Sequence, residues 1–142
     1  MQFKTILTSI ALSSAAGLVI PLCHAAKPPP TPHNVFQDMR AAYSKGDSAT
    51  LSRLLPLAQG LQLEPWAAYW ELKARLETAT PQEVHAFLQR YAGTYQEDRL
   101  RNDWLLLLGK RQDWSAFAEH ALQFRMQDDR QVRCYTDRKS VV

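Results

Sequence analysis

The chain has 142 residues, of which 46% are hydrophobic and 22% charged, a balance that suits a packed domain and excludes wholesale disorder. Its formal net charge of +3 is spread over interleaved acids and bases, which argues against a nucleic-acid partner, since that needs a concentrated basic face. Of the two cysteines, Cys23 lies in the N-terminal apolar stretch and Cys134 stands alone beyond it, so a fold built on internal disulfides is excluded.

Residues 1–25 read as a secretory signal peptide. Lys4 precedes an uncharged run from Ile6 to Leu22, and Cys23-His24-Ala25 follows where a signal peptidase reads small residues. A membrane anchor fits less well, because Pro21 interrupts the run and a bilayer span takes about 20 residues. Lipoprotein processing at Cys23 also fits less well, because Leu22 before it is bulky. Export follows, with cleavage after Ala25 and no stable membrane insertion afterwards. Cys23 leaves with this segment, and Cys134 is expected as a small buried apolar group.

Residues 26–33 form a proline-rich extended linker. Helical patterning then begins, with Asn34 expected as the first N-cap. A helix over 35–45 puts Phe36, Met39 and Tyr43 on one stripe, and Gly46 ends it. Asp47 caps a second, 48–59, with Leu51, Leu54, Leu55 and Ala58 inward and Pro56 expected to kink or shorten it. Pro65 opens a third, carrying Trp66, Tyr69, Leu72 and Leu76. Thr80-Pro81-Gln82-Glu83 is a capping box that starts a fourth, with Val84, Phe87, Leu88 and Tyr91 on its apolar face. A fifth covers about 97–110. Asp113 caps a sixth, with Phe117, Ala118, Ala121 and Phe124 inward, and a last helical turn begins at Asp128-Asp129.

Spacing joins these elements into a pattern. Asp47, Thr80 and Asp113 fall 33 residues apart, each opening the second helix of a pair. Leu51, Val84 and Phe117 recur at the same spacing, as do Met39, Leu72 and Leu105. One helical hairpin per period is the mark of an α-α superhelix, a solenoid of hairpins like the tetratricopeptide arrays, because a lone hairpin cannot bury its own apolar face. A plain bundle with regular loops is the alternative. The expected class is therefore all-α, with residues 34–136 forming a superhelical domain. Residues 137–142, Asp137 to Val142, do not continue the pattern and match what a sequencing adapter encodes in frame up to a stop codon. They read as a non-native tail, which makes the domain partial; a genuine tail of mixed charge is the other reading.

From Phe36 onward the chain resembles the N-terminal superhelical domain of soluble lytic murein transglycosylases. The stretches that carry the likeness are AAYSKGD (41–47), EPWAAYWELKARL (64–76), YQEDRLRNDWLLLLGKRQDW (95–114) and DDRQVRCY (128–135). The resemblance implies a periplasmic protein whose partner is the glycan strand of peptidoglycan. In that family a C-terminal domain cleaves the β-1,4 bond between N-acetylmuramic acid and N-acetylglucosamine, leaving a 1,6-anhydro sugar, through a glutamate that precedes a serine. No Glu-Ser dipeptide occurs in this sequence. No catalytic residue is carried over, no cofactor is implied, and the chain by itself is expected to be inactive. A periplasmic protein-interaction module built on the same repeats is the alternative function.

Candidate sites are few. Glu97-Asp98 and Asp128-Asp129 sit at helix starts, where acids favour the macrodipole, and neighbours on a helix point apart, so capping is the better reading than a catalytic pair. His85 and His120 lack a His or Cys partner at helical spacing, and no metal site is expected. Trp66, Tyr69 and Trp104 fall on apolar stripes and are expected in the core, whereas Trp70 is the better candidate for a sugar contact. Arg99, Arg101 and Arg130, with Arg125 and Arg133, are candidates to attract stem-peptide carboxylates. The commoner role for these arginines is a solvated face pairing with Glu97, Asp98, Asp103 and Asp129.

Overall fold

The computed structural model describes residues 31–139, so the expectations for the signal peptide, for most of the linker and for residues 140–142 lie outside the described residues. Every regular element among the described residues is an α-helix: α1 (Pro32–Ser44), α2 (Ser48–Ala58), α3 (Glu64–Ala74), α4 (Pro81–Arg90), α5 (Tyr95–Arg111), α6 (Trp114–Ala121) and α7 (Arg130–Lys139). The chain is all-α, as its composition and periodicity indicate.

Local chemistry sets most of the helix starts. The side chains of Asp47, Thr80 and Asp113 each accept a hydrogen bond from the backbone N–H three residues on, that of Thr50, Glu83 and Ala116 respectively. At Thr80 the Glu83 carboxylate reaches back to the cap, completing the box. The Thr80 backbone N–H, then its hydroxyl, then Arg75 hold the Glu83 carboxyl down to about 2. Four starts differ from the sequence reading. α3 begins at Glu64, one residue before Pro65, and α7 at Arg130, just after Asp128-Asp129. Thr31, and not Asn34, caps α1, because Pro32 occupies the first turn where its missing N–H costs nothing. Residues 32 and 33 of the expected linker are therefore helical. Thr94 caps α5, which starts two residues early, at Tyr95.

The inward faces also shift in places. On α1 the buried residues are Val35, Met39 and Ala42, with Phe36 and Tyr43 only half-buried. Pro56 remains inside α2, exposed near its last turn, and the helix stops two residues later. α7 runs through Lys139, so Asp137 to Lys139 continue the helix and do not break it. Cys134 is exposed on α7 and not buried.

The residues spaced by 33 occupy matching places. Leu51, Val84 and Phe117 are each 0% exposed, as are Met39 and Leu105, and Leu72 is buried at 4%. The loops before Asp47 and Asp113 match too: the N–H of each aspartate bonds a carbonyl five residues back, Ala42 and Leu108, at 3.0 Å. The residue before the cap is left-handed in both, Gly46 at φ 68° and Gln112 at φ 60°. Glycine enters that region freely, whereas a residue with a Cβ is strained there by about 1 kcal/mol. Gln112→Gly is expected to raise stability by about 0.5–1 kcal/mol in thermal denaturation, and an equal or lower melting temperature would contradict it.

The odd-numbered helices pack in succession, α1 on α3, α3 on α5 and α5 on α7. Among the even ones, α2 lies against α1 and α3, α4 against α5, and α6 against α5 and α7. α5 thus touches four other helices. The core divides into a small cluster around Met39, Leu51 and Ala67 and a larger one around Leu100, Leu105 and Phe117, with Leu55 and Trp70 packing against both.

Candidate functional site

Residues two apart on a helix lie about 200° apart around its axis. On α5 this sends Tyr95 and Arg99 to one side and Glu97 and Arg101 to nearly the opposite one. Each side forms a distinct surface.

On the first side, aromatic rings run from helix to helix. Trp70 of α3 has its ring centroid 4.7 Å from Phe36 and 5.8 Å from Tyr43, both on α1. Trp66, one turn earlier, is 6.1 Å from Trp70 and 5.7 Å from Tyr95 of α5. Five rings therefore form a row across α1, α3 and α5. Tyr95 is 55% exposed, and the other four are half-buried. Trp66, expected in the core, belongs to this row, while Tyr69 and Trp104 are buried as expected. Arg99 lies beside Tyr69, Tyr95 and Asp103 at the end of the row. Beneath it the Tyr69 hydroxyl donates to Asp103 Oδ2 at 2.9 Å, and Lys73 Nζ pairs with Asp103 Oδ1 at 2.6 Å. Burial, reinforced by Asp103, pushes the Tyr69 phenol far above its ordinary range, so it remains a donor that pins α3 to α5.

The second side is polar and enclosed. Glu97, Asp98 and Arg101 here, and Asp103 on the first side, are all buried, which corrects the expectation of a solvated charged face. The cause is tertiary: a helix packed against four others encloses its polar residues with its apolar ones, and the charged ones must then be paired. Asn102 Oδ1 and Trp104 Nε1, by contrast, are buried without a hydrogen-bond partner among the described residues. Asp98 accepts the backbone N–H groups of Arg125 at 3.1 Å and Met126 at 2.7 Å, so it caps the turn that follows α6. Glu97 is gripped by Arg101 on one oxygen and by Arg125 at 2.6 Å on the other. Arg101 Nη1 also faces His120 Nδ1 at 3.5 Å. Because a guanidinium can only donate, that nitrogen must accept, and neutral His120 carries its proton on Nε2. Burial, then His85 and Arg101, lower the His120 pKa.

His85 of α4 and His120 of α6 approach to 5.0 Å between ring centroids, a pairing that spacing along one helix could not reveal. They line a cleft of about 460 Å³ between α4, α5 and α6, with Gln89, Arg101, Glu119 and Gln123. Among the described residues no three His, Cys, Asp or Glu side chains are placed to hold a metal ion. Of the sequence candidates, Trp70 and Arg99 thus belong to the aromatic side. Arg101 lies behind them in the cleft wall, and Arg130 is exposed at the first residue of α7.

One pair of residues went unnoticed in the sequence. Gly60 and Glu64 recur 33 residues later as Gly93 and Glu97. In both, the glycine N–H donates to the glutamate, at 2.6 Å and 3.4 Å. Glu64 also takes Arg90 at 2.6 Å and the Tyr91 hydroxyl at 2.8 Å, tying the start of α3 to the end of α4. The signal was the same period that marked the caps. No family model matches this chain, and no curated protein or solved structure matches it either.

Proposed function

We propose that this chain is the scaffold of a periplasmic peptidoglycan lytic transglycosylase, an α-α superhelix whose odd-numbered helices present an aromatic surface to glycan strands. The observation that carries the reading is the row of Phe36, Tyr43, Trp70, Trp66 and Tyr95. Half-buried rings held by their neighbours keep a fixed orientation and leave faces and edges for the apolar C–H faces of sugar rings. Arg99 at the end of the row adds a planar donor suited to the carboxylates of stem peptides. The succession α1, α3, α5, α7 and the 33-residue spacing support the superhelical arrangement. With no Glu-Ser dipeptide in the sequence, the part of the chain in this reading is to bind and orient, and cleavage belongs to the catalytic domain of the intact enzyme.

Co-sedimentation of the chain lacking residues 1–25 with insoluble peptidoglycan tests this. Retention is expected, and Tyr95→Ala and Trp66→Ala are expected to weaken it by up to about tenfold each, the scale of one lost aromatic contact. Retention unchanged in the double variant would remove the aromatic row from the proposal. Release of anhydro-muropeptides by this chain alone would refute the scaffold role.

A further inference from the structure

We infer that the cleft between α4, α5 and α6 is a binding site for the carboxylate end of a small zwitterion, an amino acid or a short peptide. The inference goes beyond the glycan reading and uses none of the aromatic row. Its basis is the accounting of donors on a buried cation. Arg101 is 5% exposed and lines the cleft. Of the five N–H groups of a guanidinium, three are directed at partners, two at Glu97 and one at His120. The remaining two have no acceptor among the described residues. The contact with His120, at 3.5 Å, is at the limit of a hydrogen bond and is readily exchanged for a better one.

A carboxylate fits this deficit. Its two oxygens accept from a guanidinium in a paired, planar geometry that a neutral acceptor cannot match. Around Arg101 the cleft offers further donors: the imidazoles of His85 and His120 and the amides of Gln89 and Gln123. At the rim, exposed Glu119 is placed to receive the ammonium group of the same ligand. Glu97 is already held by Arg101, Arg125 and Gly93, so it neutralises part of the site without filling it.

Titration of the chain with sodium acetate, glycylglycine, glycinamide and inorganic phosphate, followed by the ring signals of His85 and His120 in NMR spectra, tests the assignment. Acetate is expected to give saturable shifts with a Kd on the order of millimolar, as suits so small a ligand. Glycylglycine should bind several-fold more tightly than acetate, and Glu119→Gln should erase that advantage. Glycinamide, which lacks the carboxylate, should give no saturable shift. His85→Ala, a change at an exposed position, and Arg101→Lys should each weaken acetate by about tenfold, the scale of one hydrogen bond to a charged group. Trp70→Ala should leave it unchanged, which separates this site from the glycan surface. Absence of saturation with acetate, or equal binding in wild type, His85→Ala and Arg101→Lys, would overturn the site. Phosphate binding as tight as acetate would overturn its assignment to carboxylates.

Discussion

Glu97→Ala is expected to lower the unfolding free energy by about 3–5 kcal/mol, read from urea denaturation. The size follows from what the substitution leaves behind. Glu97 is 4% exposed and is the carboxylate that neutralises Arg101, itself buried. Removing it leaves a guanidinium that meets water only through the opening of the cleft and cannot lose its proton. Asp98 cannot take over, because its oxygens are already committed to the backbone N–H groups of Arg125 and Met126. Arg125 loses less, since it is half-exposed and turns to solvent. The test of this account is the double variant Glu97→Gln/Arg101→Met, in which no charge is stranded. It should be considerably more stable than Glu97→Ala alone, and a double variant as unstable as the single one would contradict the explanation.

The repeat supplies an internal control. Glu64 stands 33 residues earlier with the same glycine contact, yet its cationic partner Arg90 is largely exposed. Glu64→Ala frees Arg90 to water and costs chiefly two hydrogen bonds, those from Gly60 and Tyr91, or about 1–2 kcal/mol. The difference between the two variants is therefore a measure of burial and not of contact number. If Glu64→Ala and Glu97→Ala cost the same, burial of Arg101 is not what sets the larger value.

The same contrast explains what the sequence could reveal. Signals that act over three or four residues were legible: Asp47, Thr80 and Asp113 cap helices, and the Thr80–Glu83 box is complete in both directions. Thr31-Pro32 repeats the Thr80-Pro81 pattern, but a run of prolines before it masked the start of α1. The apolar positions at the 33-residue spacing were legible because a missing methyl group in a core is costly wherever the helix lies. The fate of the polar residues on α5 was not. Glu97, Asp98, Arg101 and Asp103 have the composition of a solvated face, and only the packing of four helices around α5 encloses them. His85 and His120 are distant in sequence and meet across the cleft, and the row runs on from Trp66 to Tyr95 only because α5 packs against α3. Each of these depends on how one hairpin rests on the next, which no local pattern encodes.

Phe117→Ala is expected to cost about 3–5 kcal/mol, the range for a fully buried phenylalanine. Leu51 and Val84 hold the matching places, but their removal should be felt differently, because Phe117 touches the rings that hold α7. Its ring lies 6.0 Å from Trp114 and 6.1 Å from Tyr135, both edge-to-face. Tyr135 in turn lies so close over Gly109 that a Cβ there would fall 2.3 Å from its ring, so α7 is seated on α5 by a contact that needs the bare glycine. Val132 and Tyr135 are the main apolar groups α7 turns inward, and emptying the Phe117 site loosens the packing of one of them. Amide exchange in α7 is therefore expected to accelerate far more than exchange in α1 and α2, where the small cluster around Met39 and Leu51 is untouched. Leu51→Ala should reverse the order, exposing α1 and α2 while α7 stays protected. Uniform acceleration in both variants would mean that the two clusters open as one cooperative unit, and the partition of the core into two packing groups would carry no energetic meaning.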